Sequence, residues 1–202
     1  MSTAIRMFRH IRPSRKVAAI DVEEVLFPFM IPFLKWSRFK PNKERYPYSI
    51  SHLMNTTEFY TQRKITNFVH SVDFEMINPV KNSSHGLAYL REHGFKIYAV
   101  SGGHKSTRDQ VENMIESHFP YLVDDLLFSN TFSSENVPKL KLYHAVGADL
   151  IVNDNLDTCK KSIGDGIEAV NFIGDPVYPW CEESPHSANT WTDLVLKVKS
   201  ST

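Results

Sequence analysis

The chain is short of cysteine, short of glycine and without a long apolar run, and it carries no excess charge of either sign. Two cysteines, Cys159 and Cys181, exclude a disulfide framework and a cysteine-based zinc site; they read as free interior thiols of a reducing compartment. No stretch approaches the roughly 18 uninterrupted apolar residues that a membrane span needs. The longest candidate, Val25 to Leu34, is broken by Pro28 and Pro32. Lys and Arg number 23 against 23 Asp and Glu, which gives no electrostatic case for holding a nucleic acid polymer through its backbone and leaves a small anionic ligand open. These absences predict a soluble cytoplasmic protein with neither a membrane nor a polynucleotide as partner. At the start of the sequence Arg6, Arg9, Arg12, Arg15 and Lys16 occur among apolar residues with no acid between them. Residues 1–15 therefore read as a basic arm, with an organellar targeting segment as the alternative.

What is present is an alternation. A chain of 202 residues suggests one domain carrying a smaller insertion. Apolar segments at 16–21, 95–100, 149–152 and 167–172, with a shorter one at 125–129, lack the polar alternation of half-exposed strands and read as strands buried on both faces. Helix-like runs at 83–93, 107–118, 138–146, 158–163 and 190–199 separate or follow them, and Gly94 and Gly147 close two of these helices. The order predicts an α/β fold with a doubly wound parallel sheet, helices on both faces and right-handed crossovers. Residues 27–80 break the rhythm: they are rich in Phe, Tyr and Trp, and Pro28, Pro32, Pro41 and Pro47 keep the early helices short. Within them 57–69 reads as an amphipathic helix, with Thr56 or Thr57 as N-cap and Glu58 in its first turn. The segment reads as a small helical insertion, leaving 16–26 and 81–202 as the core. Some of its aromatics belong to the interior; others line a pocket for a flat ligand or form a homodimer surface.

In such folds chemistry collects at the carboxyl ends of the strands. Three strands deliver Asp21 and Glu23, Ser101, and Asp154 to that edge. Three carboxylates, Asp21, Glu23 and Glu24, within four residues of a buried strand end repel one another and resist desolvation unless a cation or a phosphate-handling task explains them. An aspartate at a strand tip, a second carboxylate two residues on, a hydroxyl, a lysine and another aspartate make a site for Mg2+-assisted phosphoryl transfer to a carboxylate. The first carboxylate attacks phosphorus, the hydroxyl and lysine hold phosphate oxygens, and the second carboxylate protonates the leaving alcohol. Hard oxygen ligands suit Mg2+ and argue against zinc.

This ordered set resembles the haloacid dehalogenase (HAD) superfamily, whose hallmark after the first strand is Asp-x-Asp-x-Thr/Val, here Asp21-Val22-Glu23-Glu24-Val25. Its second motif matches Ala99-Val100-Ser101-Gly102, its lysine Lys139 with Lys141 competing, and its acidic fourth motif Ile151-Val152-Asn153-Asp154. The resemblance implies hydrolysis of a small phosphomonoester through an aspartyl-phosphate, with Asp21 as nucleophile and metal ligand. It makes Glu23 the acid/base with its carbonyl on Mg2+, puts Ser101, Gly102 and Lys139 on the phosphate, and has Asp154 complete the metal site. The alternatives are a HAD-fold pseudophosphatase with a binding or regulatory role, which Glu23 and Glu24 motivate, and a phosphotransferase of the same fold. The insertion looks like the cap that follows the first strand in part of the superfamily. Asn78-Pro79, Leu87, Leu90, Asp154-Asn155-Leu156-Asp157 and Trp191 are similar to the 5'(3')-deoxyribonucleotidases, which implies a nucleoside monophosphate stacked on insertion aromatics.

The chain also departs from the pattern. Glu23 stands where the family has Asp, so its acid sits about one methylene farther out, and a misplacement of about 1 Å costs on the order of a hundredfold in rate. Glu24 replaces the usual Gly, adding charge and straining the turn. Asn153, where relatives often have Asp or Gly, carries little weight in this reading. Asp157 supports the metal through water, holds Lys139, or simply serves the helix macrodipole. Asp124-Asp125 begins an apolar run instead of ending one, and His70, His85 and His104 are too scattered for a metal site.

Overall fold

The computed structural model describes residues 16–131 and 133–201, so the basic arm expected at 1–15 lies outside the described residues. The apolar runs become β1 (Val17–Asp21), β2 (Lys96–Ser101), β3 (Asp125–Phe128), β4 (Leu150–Asn153) and β5 (Glu168–Phe172). A two-residue β6 (Ser187–Ala188), too short to leave a pattern in sequence, joins the edge. All six are parallel, in the order β3-β2-β1-β4-β5-β6. Four helices, α1 (Met30–Trp36), α2 (Ile50–Met54), α3 (Glu58–Val69) and α4 (Val72–Glu75), lie between β1 and α5 (Ser83–Glu92), all but α3 short. Beyond β2 come α6 (Arg108–His118), α7 (Lys139–Val146), α8 (Leu156–Gly164) and α9 (Trp191–Ser201). Among the described residues no helix is long and apolar enough to cross a membrane.

Strand side chains alternate between two interiors. Ala18, Ile20, Ile97, Leu126, Val152 and Phe172 pack with Leu87, Leu90, Met114 and Leu194 on one face, whereas Ala19, Val100, Ile151 and Ala169 pack with Tyr143 and Cys159 on the other. That two-sided burial is why the strands read as apolar without a polar stripe. The helices start and stop where their sequence signals lie. Thr57 Oγ1 accepts from Tyr60 N at 3.2 Å, and Gly147 ends α7 at φ +65°. At α9, Trp191 is fully buried against α5, and a Cβ on Gly86 would lie 2.1 Å from its ring, so only glycine allows this approach.

β1 sits mid-sheet with β2 on one side and β4 on the other. This is the switch point of a doubly wound sheet, where a crevice opens beyond the strand ends. Register aligns the ends: Asp21 pairs with Val100 and Ile20 with Val152, so Asp21, Ser101 and Asn153 finish their strands together.

Candidate active site at the carboxyl edge

Asp21 is fully buried at the tip of β1. One carboxylate oxygen takes a hydrogen bond from Lys139 Nζ, and the other takes one from Asn153 Nδ2 at 2.5 Å. Asn153 is itself held, with its Nδ2 3.2 Å from the Tyr143 hydroxyl and its Oδ1 accepting from Asn155 N at 2.9 Å. Burial raises the Asp21 carboxyl well above the usual carboxylate range, and the Lys139 charge only partly offsets it. Burial works against the Lys139 charge too, but the facing Asp21 and Glu23 carboxylates more than compensate and raise its pKa.

The loop after β1 is tight. Val22 N donates to Val100 O at 3.0 Å, and Leu26 N and Phe27 N donate to Val22 O at 3.1 and 3.0 Å. Glu24 adopts φ +65°, the left-handed turn that glycine would enter freely. Its carboxylate accepts from Phe29 N at 3.1 Å and Met30 N at 2.5 Å, satisfying donors at the start of α1. Burial pushes this carboxyl up to about 8. The loop is also pinned from outside: Trp191 Nε1 donates to Val25 O at 2.8 Å and the Tyr178 hydroxyl to Glu24 O at 2.9 Å.

Glu23 occupies an unexpected place. Its carboxylate accepts from Ser101 Oγ at 2.5 Å and from Gly102 N at 2.8 Å, and it lies 3.8 Å from Lys139 Nζ. Those are the three groups that the sequence assigns to phosphate oxygens. The donors therefore form an oxyanion cradle, and in this structure the oxyanion on it is the chain's own.

Asp154, just beyond β4, is buried and faces the same crevice. Trp180 Nε1 donates to its Oδ2 at 2.9 Å, and the Tyr48 hydroxyl lies 3.4 Å from its Oδ1. Burial pushes its carboxyl up to about 6, against the opposing pull of Lys139 and the Trp180 hydrogen bond. Two buried carboxylates with raised proton affinity, Asp21 and Asp154, are hard oxygen donors whose charge a small divalent cation would balance, so they fit Mg2+. Among the described residues no three His, Cys, Asp or Glu side chains converge on one metal position. The side chains that would hold Mg2+ are thus Asp21 and Asp154, and the Glu23 carbonyl is the third ligand that the sequence resemblance implies.

The structure brings Asp21, Glu23, Ser101, Gly102, Lys139 and Asp154 to one crevice. It separates Lys139 from Lys141, which is exposed, and leaves Asp157 exposed in the first turn of α8. Asp124 instead accepts from Arg91 and from Ile97 N, apart from the site. Cys159 and Cys181 are free and buried, as expected. Three contributors escaped the sequence reading: Asn153, which holds the Asp21 carboxylate, and Tyr48 and Trp180, which hold Asp154. The only advance signal for Asn153 was its place beside Asp154 at a strand end; nothing local marked the two aromatics. A cavity of about 360 Å³ opens from the cradle and runs between α1, α3 and α6.

No family model matches the chain, and no curated protein matches it. Solved structures do. A predicted phosphatase from Clostridium acetobutylicum superposes with a TM-score of 0.66 at 9% identity, covering 92% of this chain and 99% of that one. A haloacid dehalogenase-like hydrolase from Streptococcus pneumoniae gives 0.64 at 12%, covering 91% and 98%. An L-2-haloacid dehalogenase from Xanthobacter autotrophicus gives 0.58 at 11%, covering 93% and 99%. The chain has the HAD-like Rossmannoid α/β fold. Phosphatases and a dehalogenase share that fold, so the reaction has to be argued from the site.

Proposed function

We propose that the chain hydrolyses small phosphomonoesters by Mg2+-dependent phosphoryl transfer to Asp21. One observation carries the reading: Lys139 Nζ donates to the Asp21 carboxylate, and 3.8 Å from the same ammonium a carboxylate oxyanion, that of Glu23, already lies on Ser101 Oγ and Gly102 N–H. A phosphoryl group on the same donors lies beside Asp21. An Asp21 oxygen then forms a bond to phosphorus, the bond from phosphorus to the ester oxygen breaks, and the departing alcohol takes a proton from Glu23. In the second half Glu23 removes a proton from water, the water oxygen attacks phosphorus, the bond to Asp21 breaks, and inorganic phosphate leaves. Mg2+ held by Asp21, Asp154 and the Glu23 carbonyl would supply charge neutralisation between two anions. Glu23 must leave Ser101 and Gly102 before phosphate binds, and that displacement frees its acid for the leaving group.

In this reading residues 27–80 are the cap, with α1 and α3 walling the cavity and keeping water from the reacting centre. A nucleoside monophosphate would place its base near Phe27, Phe29 and Phe74, which also line it. The test is phosphate release from a panel of nucleoside monophosphates and an aryl phosphate, with Mg2+ and with chelator, beside Asp21→Asn. Turnover that needs both Mg2+ and Asp21 supports the proposal; full activity in Asp21→Asn sinks it.

A second reading, a binding protein of the same fold without turnover, is favoured by three contacts: Glu23 holds the cradle, and Trp180 and Tyr48 each reach Asp154. A silent wild type with activity appearing in Glu23→Asp would select it.

A further inference from the structure

The wall of the cavity above the cradle is mostly apolar. Its lining includes Phe29, Met30, Ile65, Val69, Val111 and Met114. Among the described residues lining it Lys139 is the one cation, and Lys139 faces Asp21. The other ionisable groups of the lining, apart from Tyr48, are the acids Glu23, Glu24 and Asp154. A second phosphate or a carboxylate on the substrate would therefore meet acids and no counterion.

Most polar side chains along the wall already have a partner within the chain. Thr107 Oγ1 donates to His104 O at 2.8 Å, Thr131 Oγ1 is 2.8 Å from Ser129 Oγ, and Ser49 Oγ is 3.0 Å from Ser51 Oγ. Gln62 Nε2 reaches Thr66 Oγ1 at 3.4 Å. The Glu24 carboxylate is taken up by the start of α1. Sugar hydroxyls or the edge of a base would give up water here for few partners, which is costly, whereas a hydrocarbon body loses nothing polar and gains by burial.

We infer that the site takes phosphate monoesters of uncharged, apolar alcohols, aryl or alkyl, in preference to nucleotides, phosphosugars and phosphorylated acids. The inference rests on the phosphomonoester reading above for its polar end and on the cavity wall for its apolar end. Turnover of the Mg2+-loaded protein is compared on 1-naphthyl phosphate, UMP, glucose 6-phosphate and phosphoglycolate. The expected kcat/KM for the naphthyl ester exceeds the others by about 100-fold or more. Turnover that is equal on all four, or best on UMP, overturns the inference and leaves the hydrolase reading standing.

Calorimetric binding of 1-naphthylphosphonate, which cannot be hydrolysed, is measured beside methylphosphonate on the same protein. If no ester is turned over, naphthylphosphonate binding about 100-fold tighter than methylphosphonate supports the cavity's role and sinks hydrolysis instead. Equal affinity for the two phosphonates overturns the inference. Val69→Thr and Met114→Gln, checked by thermal melting, should each weaken the naphthyl ligand about tenfold and leave methylphosphonate unchanged. Unchanged naphthyl binding in folded variants also overturns it.

Discussion

Replacing Glu23 with alanine should tighten the binding of inorganic phosphate while slowing turnover. In the structure the Glu23 carboxylate accepts from Ser101 Oγ at 2.5 Å and Gly102 N at 2.8 Å, and it lies 3.8 Å from Lys139 Nζ. Phosphate arriving at these donors must first break both bonds. A hydrogen bond to a charged group contributes about 1.5–3 kcal/mol net, so two at the lower figure cost about 3 kcal/mol. That corresponds to roughly 100-fold in Kd, and the loss of one bond alone to about tenfold. Titration calorimetry of phosphate into wild type and Glu23→Ala, both with Mg2+, reads the difference directly. The same variant lacks the acid that protonates the leaving alcohol, so its kcat should fall by about 100-fold or more. Phosphate affinity that is unchanged or weaker in Glu23→Ala would refute the reasoning, because Glu23 would then not compete for the cradle.

Other consequences are as specific. Lys139→Met strips the buried Asp21 carboxylate of its ion-pair partner and should destabilise the fold by about 3–5 kcal/mol in denaturant titrations, with phosphate binding lost. Gly86→Ala drives a Cβ into the buried Trp191 ring; overpacking of about 2 kcal/mol should lower Tm by roughly 4–8 °C in calorimetry. Trp180→Phe keeps the ring stacked on Tyr178 but removes the donor to Asp154, so Mg2+ affinity measured by titration should weaken about tenfold. Burial pushes the Cys159 thiol up to about 12 and raises Cys181 as well, so at pH 8 neither is a thiolate, and both should resist an aromatic disulfide reagent until the protein is denatured.

The fold was legible because burial leaves a mark in composition. β1 through β5 are covered on both faces, so each appears as an unbroken apolar run, and Thr57, Gly94 and Gly147 sit at helix ends for reasons local to the backbone. Strand ends in a doubly wound sheet converge by topology, which is why Asp21, Ser101 and Asp154 could be named from order alone. The choice of Lys139 over Lys141 depended on which face of α7 looks at the crevice, and that face is set by packing of Tyr143 beneath it. Tyr48 and Trp180 were illegible for another reason. Tyr48 reaches Asp154 across 106 positions of sequence, and Trp180 comes from an irregular segment after β5. No periodicity encodes such contacts. The sequence puts Glu23 beside the end of β1, but the destination of its side chain, on Ser101 and Gly102, is not readable there, because one extra methylene changes which donors a carboxylate reaches. Glu24 was expected to strain the turn, and its φ of +65° agrees; its service to the first N–H groups of α1 needed the fold to be seen.

The central claim is that Asp21 is the group that receives the phosphoryl. The measurement that meets it most directly is acid quenching of the Mg2+-loaded protein within one turnover on an excess of aryl phosphate, followed by peptide mass spectrometry. The account predicts that the peptide containing Asp21 gains the mass of one phosphoryl group, that the gain needs Mg2+, and that Asp21→Asn abolishes it. Phosphate released at the full rate with no labelled Asp21, or a label found on another residue, would contradict it.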